Sequence, residues 1–329
     1  MMMRKLICSA ALTGAIVFSG LFSMAAPAQG QAWPAKPVRI YVSNGPGSAP
    51  DVVLRLVADR LSRTFAQPFL IDNRPGGEQT IGASLAAKAA PDGYTFFFAT
   101  NDSLVANQYR LKSLPYDVDR DFTPVANVVG SAAFVVVANG ELPVRTFPDL
   151  AAMARAQPGK VSMGITVGLS DIISQWLNKM AGIDLLRVPY KLNTQANQDA
   201  AAGQVNSIIT SYQSIVPLVQ SGRLRVIAVT GSERYPLLPG VPALTEAYPG
   251  LIIEGWFFFV APAGTPADIV QRMNREVDRI VADPEITQRI RGFHFTPGPA
   301  MTPRAIEERI RGERGRWRRI AQDIGLQPQ

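Results

Sequence analysis

Short apolar runs alternate with longer amphipathic stretches along most of this chain, and that alternation constrains the fold more than any single motif does. Between 37 and 100 it reads as strands at 38–43, 69–72 and 94–99, with helices at 51–65 and 79–89. Strands separated by helices pair in parallel through right-handed crossovers, which gives a layered α/β sheet. In the first helix Val52, Leu56, Val57, Leu61 and Phe65 share one face, with Arg55, Asp59, Arg60 and Arg63 on the other. Phe96-Phe97-Phe98 suits a strand covered on both sides. A second set has strands at 134–138, 161–165, 186–188, 206–209 and 224–229, and helices at 147–156, 170–180, 194–202 and 214–220. The proline-rich stretch 235–249 reads as a link or wrapping loop. After it come a strand at 252–260 and helices at 266–282, 285–291 and 302–323. A chain of about 300 residues ordinarily makes two domains. Two such units leave a cleft where strand ends meet, the usual place for a ligand.

The N-terminus reads as an export signal. Arg4 and Lys5 precede an apolar run over 6–24, and Ala26-Pro27-Ala28 supplies the small-x-small pattern of a cleavage site. The run approaches the length of a membrane span, but its Ser and Gly interruptions and the small-residue site favour cleavage after Ala28. Cleavage removes Cys8, the only cysteine. The exported protein then has no disulfide and no thiolate nucleophile or metal ligand, so it rests on its core alone. With 47% hydrophobic residues it has the material for one. Much of the net charge of +7 sits in Arg304, Arg309, Arg311, Arg314, Arg316, Arg318 and Arg319. Glu307, Glu308 and Glu313 interleave with these, and Ile306, Ile310, Trp317 and Ile320 recur at near-helical spacing. That pattern is a solvated helix face and not a nucleic-acid surface.

No catalytic constellation stands out. The sole histidine, His294, lies between Phe293 and Phe295 and reads as structural. No HExxH, CxxC, GxSxG or P-loop pattern occurs. Gly45-Pro46-Gly47 is not a dinucleotide fingerprint, because Pro50 stands where the third glycine belongs. Asp119 and Asp121 fall in a polar loop and read as solvated. More informative is 38–53, where an apolar strand enters a Gly/Pro turn that opens onto an amphipathic helix, with Ser48 as N-cap and Asp51 three residues on. A helix start offers unpaired N–H groups, and Gly45 and Gly47 bare the backbone, so this turn can hold a carboxylate without an arginine. Three further strand ends carry polar turns: Thr100-Asn101-Asp102-Ser103, Thr166-Val167-Gly168-Leu169-Ser170-Asp171 and Thr210-Ser211-Tyr212. Each alone serves as cap chemistry. Their coincidence points to a pocket neutral in its side chains and rich in donors.

Several longer motifs add a resemblance. They include Trp33-Pro34-Ala35-Lys36-Pro37, Asp72-Asn73-Arg74-Pro75-Gly76-Gly77, Ala90-Pro91-Asp92-Gly93-Tyr94, Leu114-Pro115-Tyr116-Asp117 and Val188-Pro189-Tyr190-Lys191. With Ala261-Pro262-Ala263-Gly264-Thr265-Pro266 they resemble the Bug family of periplasmic solute-binding proteins, the receptors of tripartite tricarboxylate transporters, over 33–325. The resemblance implies an α/β, two-domain periplasmic binding protein of the type II flytrap class, each domain a doubly wound, mostly parallel sheet. It implies a signal peptide at 1–28, a split first domain at 29–133 plus 255–329, a second domain at 134–254, and a two-strand hinge. It implies that Ser43, Asn44, Gly45, Pro46, Gly47 and Ser48 meet a ligand carboxylate, partly through ordered water. The turns at 100–103, 166–171 and 210–212, with Tyr190 and Leu192, would supply the remaining contacts. The expected protein is a periplasmic monomer that captures a small organic anion for membrane transporter subunits, with no enzymatic activity, cofactor, metal or nucleic-acid partner.

The chain departs from the family pattern at the ligand. Ser43-Asn44 replaces the usual Pro-Phe, Ser48-Ala49-Pro50 replaces Gly-Gly-Thr-like positions, and the loop at 166–171 lacks its usual His. Leu192 replaces a Gly, and Thr210 an Asp that would partner an ammonium group. The expected ligand is therefore an aromatic or aliphatic mono- or dicarboxylic acid in preference to an amino acid. A ligand-sensing partner of a membrane kinase would bind in the same way. An enzyme would have to use Asp171 or Asp102 as its base.

Overall fold

Side chains alternate across a strand, and β3 (Thr95–Thr100) shows what that does here. Phe96 and Phe98 enter the core on one face of its sheet, while Phe97 and Ala99 enter the core on the other. A computed structural model describes residues 33–132, 134–166 and 169–328. The signal-peptide expectation at 1–28 and the candidate ligands Val167 and Gly168 lie outside the described residues. Alongside β3, the first sheet holds β1 (Val38–Val42), β2 (Phe69–Asn73), β4 (Phe122–Ala132), β10 (Gly255–Pro262) and β11 (Thr296–Pro297), in the order β11-β4-β10-β3-β1-β2. The second holds β5 (Phe134–Asn139), β6 (Ser162–Thr166), β7 (Leu186–Tyr190), β8 (Ser207–Ser211) and β9 (Leu224–Val229), in the order β7-β6-β8-β5-β9. β2, β1 and β3 are mutually parallel, as are β7, β6 and β8; β10, β11 and β5 run against their sheets.

The helices are α1 (Ala49–Phe65), α2 (Thr80–Ala87), α3 (Asn107–Arg110), α4 (Val118–Asp121), α5 (Phe147–Ala156), α6 (Leu169–Ala181), α7 (Asn193–Ala201), α8 (Val216–Gln220), α9 (Ala267–Ala282), α10 (Pro284–Gly292) and α11 (Pro303–Ile324). In α1 the buried face takes in Val53 and Leu54 beside Leu56, Val57 and Leu61. The stretch 235–249 has no regular structure beyond a 3-10 turn at Leu244–Glu246, as its prolines require.

The chain crosses between sheets from β4 into β5 and returns through 230–254 into β10. Thr230 ties the two crossings together: its N–H donates to the Phe134 carbonyl (3.1 Å) and its hydroxyl to that of Ile253 (2.6 Å). Helix α11 adds a further tie. Its Ile306, Ile310, Trp317 and Ile320 share one buried cluster with Trp176 and Leu177 of α6, and Lys179 donates to the Asp323 carbonyl.

Strand β4 was not expected. Pro124, Asn127 and Gly130 interrupt its alternation, and register shifts against β10 mark bulges along it. Proline is tolerated near a sheet edge, and β4 is flanked on its outer side only by the two-residue β11, which pairs at Val129 and Ser131 and leaves no strand on that side of Pro124. Asp119 and Asp121 lie on the short α4 and not in a loop; Asp119 is exposed, as expected, and pairs with Arg314 of α11 (2.7 Å to Nη1), while Asp121 is half-buried and pairs with Arg120 (2.9 Å).

Asp278 of α9 has a buried Oδ1 without a partner. Burial pushes its carboxyl up to about 6, against a hydrogen bond from the Met301 backbone. A raised carboxyl contributes stability that is complete below its ordinary value near 3.8 and is lost as pH rises through about 6. Asp278→Asn is therefore expected to melt with the parent at pH 4 and above it at pH 8. Equal melting temperatures at both pH values would contradict this.

Candidate functional site

Parallel strands followed by helices bring their C-terminal ends to one edge, and here the two edges face each other across a cavity of about 300 Å³. From the first sheet the wall is formed by Asn44, Ala49, Pro50, Glu78, Gln79, Thr100, Asn101, Asp102, Arg110, Trp256 and Phe257. From the second it is formed by Phe134, Thr166, Leu169, Ser170, Asn193, Ile209, Thr210 and Ser211. Both α1, 17 residues long, and α6, 13 residues long, begin at this cavity. Their first turns therefore present the positive ends of two helix dipoles to it from opposite sides.

Of the residues expected to contact ligand, Asn44, Thr100, Asn101, Asp102, Thr166, Leu169, Ser170 and Thr210 line the cavity. The glycine turn does not do what its sequence suggested. Gly47 donates its N–H to Asp51 Oδ2 (2.8 Å), and Ser48 donates its own to the Gly45 carbonyl (3.2 Å). Ser48 is the N-cap residue, yet its side chain makes no cap bond. Asp51 takes that place, accepting also from Arg55 (2.9 Å) and Asn73 (2.9 Å). Burial alone would raise this carboxyl, but the bonds from Arg55, Asn73 and Gly47 outweigh it and hold it below the usual range. Gly45, Pro46, Gly47 and Ser48 thus stand back from the cavity. The donors left free at the head of α1 are the N–H groups of Ala49 and Asp51, which have no acceptor among the described residues.

Other candidates are turned elsewhere. Ser43 points at α2, where a Cβ on Gly82 would lie 2.8 Å from its Oγ. Ser103 closes its own turn, accepting from the Thr100 N–H (3.1 Å) and donating to the Thr100 carbonyl (2.9 Å). Asp171 is paired with Arg187 (2.6 Å) and Gln175 (3.0 Å). Tyr190 lies against Gly164, and Leu192 points to solvent, 63% exposed. Tyr212 packs edge-on against His294, ring centres 5.5 Å apart.

The expectation of a wall neutral in its side chains is corrected by Glu78, Asp102 and Arg110. Arg110 is nearly buried, 11% exposed, with Glu78 2.8 Å and Asp102 3.5 Å from its guanidinium. Burial pushes the Asp102 carboxyl above its ordinary value, against the pull of Arg110 and of Gln79, which donates to it at 3.3 Å. Glu78 and Gln79 reach the cavity because 76–79 is a left-handed run: φ is +111° at Gly76, +56° at Gly77, +54° at Glu78 and +68° at Gln79. A side chain in that region is strained by about 1–3 kcal/mol. Arg110 enters from α3, reached through a π-helical turn at Asp102–Ala106. Behind this wall, Asn101 and Trp256 both donate to the buried Glu313 of α11, at 2.7 and 2.8 Å.

The model of the tripartite tricarboxylate transporter family receptor, TctC, matches residues 53–326. The chain belongs to this family. A UPF0065 protein of Bordetella bronchiseptica is 35% identical over 94% of this chain and 92% of its own length. The solved structure of R. palustris Rpa4515 with adipate has 31% identity and a TM-score of 0.78, covering 90% of this chain and 100% of that one. The periplasmic binding protein BugD is 25% identical with a TM-score of 0.74, again over 90% and 100%. TctC and Bug proteins are solute-binding receptors, not enzymes, and this chain shares their two-domain α/β binding-protein fold. Among the described residues no helix is long and apolar enough to cross a membrane, and no group of His, Cys, Asp and Glu could hold a metal ion.

Proposed function

We propose that this protein is a periplasmic receptor that takes a small carboxylate into the cleft and presents it to membrane transporter subunits. The observation that carries the reading is the cavity itself, walled by both sheets and by the first turns of α1 and α6. Its volume is at the small end for ligand pockets, which suits a small organic acid. The lobes are assigned as 29–133 plus 255–329 and 134–254. The ligand carboxylate sits between the two helix starts, on the free N–H of Ala49 at the head of α1 and against the positive end of the α6 dipole. Charge-assisted hydrogen bonds contribute about 1.5–3 kcal/mol each, so a few of them, with apolar contact from Leu169 and Ile209, reach micromolar affinity, about −8 kcal/mol. Contacts from both lobes are needed for the ligand to favour closure, since equal affinity for open and closed forms shifts nothing. The adipate bound to the R. palustris neighbour supports a carboxylate as the ligand class.

A thermal-shift screen of mono-, di- and amino-carboxylates is expected to find an acid that raises the melting temperature by mass action. No response to any acid would overturn the reading. Leu169→Asp sets a like charge where the carboxylate binds and is expected to weaken that acid at least ~10-fold, about 1.4 kcal/mol. Unchanged affinity by calorimetric titration would move the carboxylate away from α6.

A further inference from the structure

His294 ends helix α10 in a conformation that ordinarily belongs to glycine. The helix closes with two reversed hydrogen bonds, His294 N–H to the Arg291 carbonyl (2.8 Å) and Phe295 N–H to the Ile290 carbonyl (3.2 Å). Such an ending needs one left-handed residue, most often glycine, which has no Cβ to strain. Here that residue is His294, with φ at +59°. A histidine in this region is strained, and the partners of its ring and of its carbonyl both lie in the second lobe. The ring meets that of Tyr212, which follows β8, edge-on with centres 5.5 Å apart and planes at 76°. The carbonyl accepts from the hydroxyl of the buried Tyr235 at 2.7 Å. These contacts adjoin the cavity, because Ser211 precedes Tyr212, Phe295 follows His294, and both Ser211 and Phe295 belong to its wall.

We propose that His294 and Tyr212 form a latch between the lobes, which holds them in the arrangement that encloses the cavity and so strengthens ligand capture without touching the ligand. Its part in capture rests on the receptor reading of the cleft; its hold on the lobes rests on the contacts alone. Glycine at 294 would close α10 with less strain and leave Tyr212 without its facing ring. The strain is what it takes to set an imidazole against the second lobe. Tyr235 bonds a backbone carbonyl that any residue would offer, so the part of the latch that depends on side chains at both ends is the ring pair. Both residues act as positioning residues. Their effect on affinity comes from a ring pair made more fully in the enclosed arrangement than in an open one, since a contact equal in both shifts nothing. An aromatic pair of this kind changes an equilibrium by about 2–10-fold.

The test places spin labels at Lys112→Cys and Lys191→Cys, exposed positions on the first and second lobes, in protein whose own thiol is removed by Cys8→Ser. With no acid added, His294→Gly and Tyr212→Ala are each expected to give a longer or broader distance distribution than the parent. His294→Gly is also expected to melt no lower than the parent, because it relieves the left-handed strain, so loss of fold does not imitate the result. Calorimetric titration with adipate, 4-methylpentanoate and 3-phenylpropanoate reads capture. An acid that binds the parent is expected to bind each variant about 2–10-fold more weakly, and the double variant no more weakly than the weaker single one. Unchanged distances in both variants, an unchanged affinity, or losses that add in the double variant overturn the latch and leave the receptor reading standing. If none of the three acids binds the parent, the receptor reading loses support while the distances still decide whether the latch holds the lobes.

Discussion

Trp256→Ala is expected to lower the stability of the folded protein by about 3–5 kcal/mol, the range for truncating a buried aromatic side chain. Trp256 is fully buried and stacks on Phe258 with ring centres 4.2 Å apart and planes at 14°. Its Nε1–H donates to Glu313 at 2.8 Å, and the ring also walls the cavity. Truncation therefore opens a void beneath the site, removes a donor from a buried carboxylate and enlarges the cleft. At roughly 2–4 °C per kcal/mol for a protein of this size, the melting temperature should fall on the order of 10 °C. Trp256→Phe keeps one ring for the stacking but loses the N–H and the volume of the second ring, so its loss should be smaller, about 1–3 kcal/mol. A urea midpoint for the alanine variant within ~1 kcal/mol of the parent would show that this ring does not hold the floor of the cleft.

Glu313→Leu is expected to cost about 2–4 kcal/mol, because it leaves the buried donors of Asn101 and Trp256 without their acceptor, while Arg309 keeps Glu254 (3.7 Å) and the Gly130 carbonyl (2.7 Å). Glu313→Gln behaves differently. Burial pushes the Glu313 carboxyl above its ordinary value, against the Trp256 hydrogen bond and the nearby Arg309 charge. Because the value is raised, the contribution is complete below the unfolded carboxyl's range and is lost as pH rises through the folded one. The glutamine variant keeps an acceptor oxygen and has no proton to lose, so its stability relative to the parent should improve from pH 5 to pH 8. Denaturant titrations at both pH values check this, and a relative stability that falls with pH would contradict it.

Much of the fold was legible because its punctuation is local. Gly, Pro and Asp close the strands and open the helices around 43–51, 65–69 and 91–94, and the observed elements begin and end within a few residues of those signals. Strand β4 was illegible because Pro124, Asn127 and Gly130 break its pattern, and only its place between β10 and the short β11 makes them tolerable. The site was half legible. Residues at the C-terminal ends of parallel strands, such as Thr100, Asn101, Thr166 and Thr210, reach the cavity because topology sends those ends there.

What sequence could not show was competition for the same groups. The donors of Gly47 and Ser48 look free in a list of residues, but Asp51 folds back onto one and the Gly45 carbonyl takes the other. Conversely, Arg-Pro-Gly-Gly-Glu-Gln at 74–79 reads as an ordinary loop. Only the left-handed backbone at 76–79 turns Glu78 and Gln79 into the cleft. Arg110 arrives from a separate helix and Trp256 from the returning strand β10, and neither adjoins a polar turn. A sequence signal did exist for Glu313: an acid placed on the helical stripe between Ile310 and Trp317 is either solvated or answers a buried donor, and here it answers two.

The most direct measurement is a crystal structure with whichever acid raises the melting temperature most. The account predicts electron density for that acid inside the cavity, its carboxylate between the Ala49 N–H and the first turn of α6 and in contact with both lobes. Density confined to one lobe, or lying elsewhere on the molecule with the cavity empty, would contradict it.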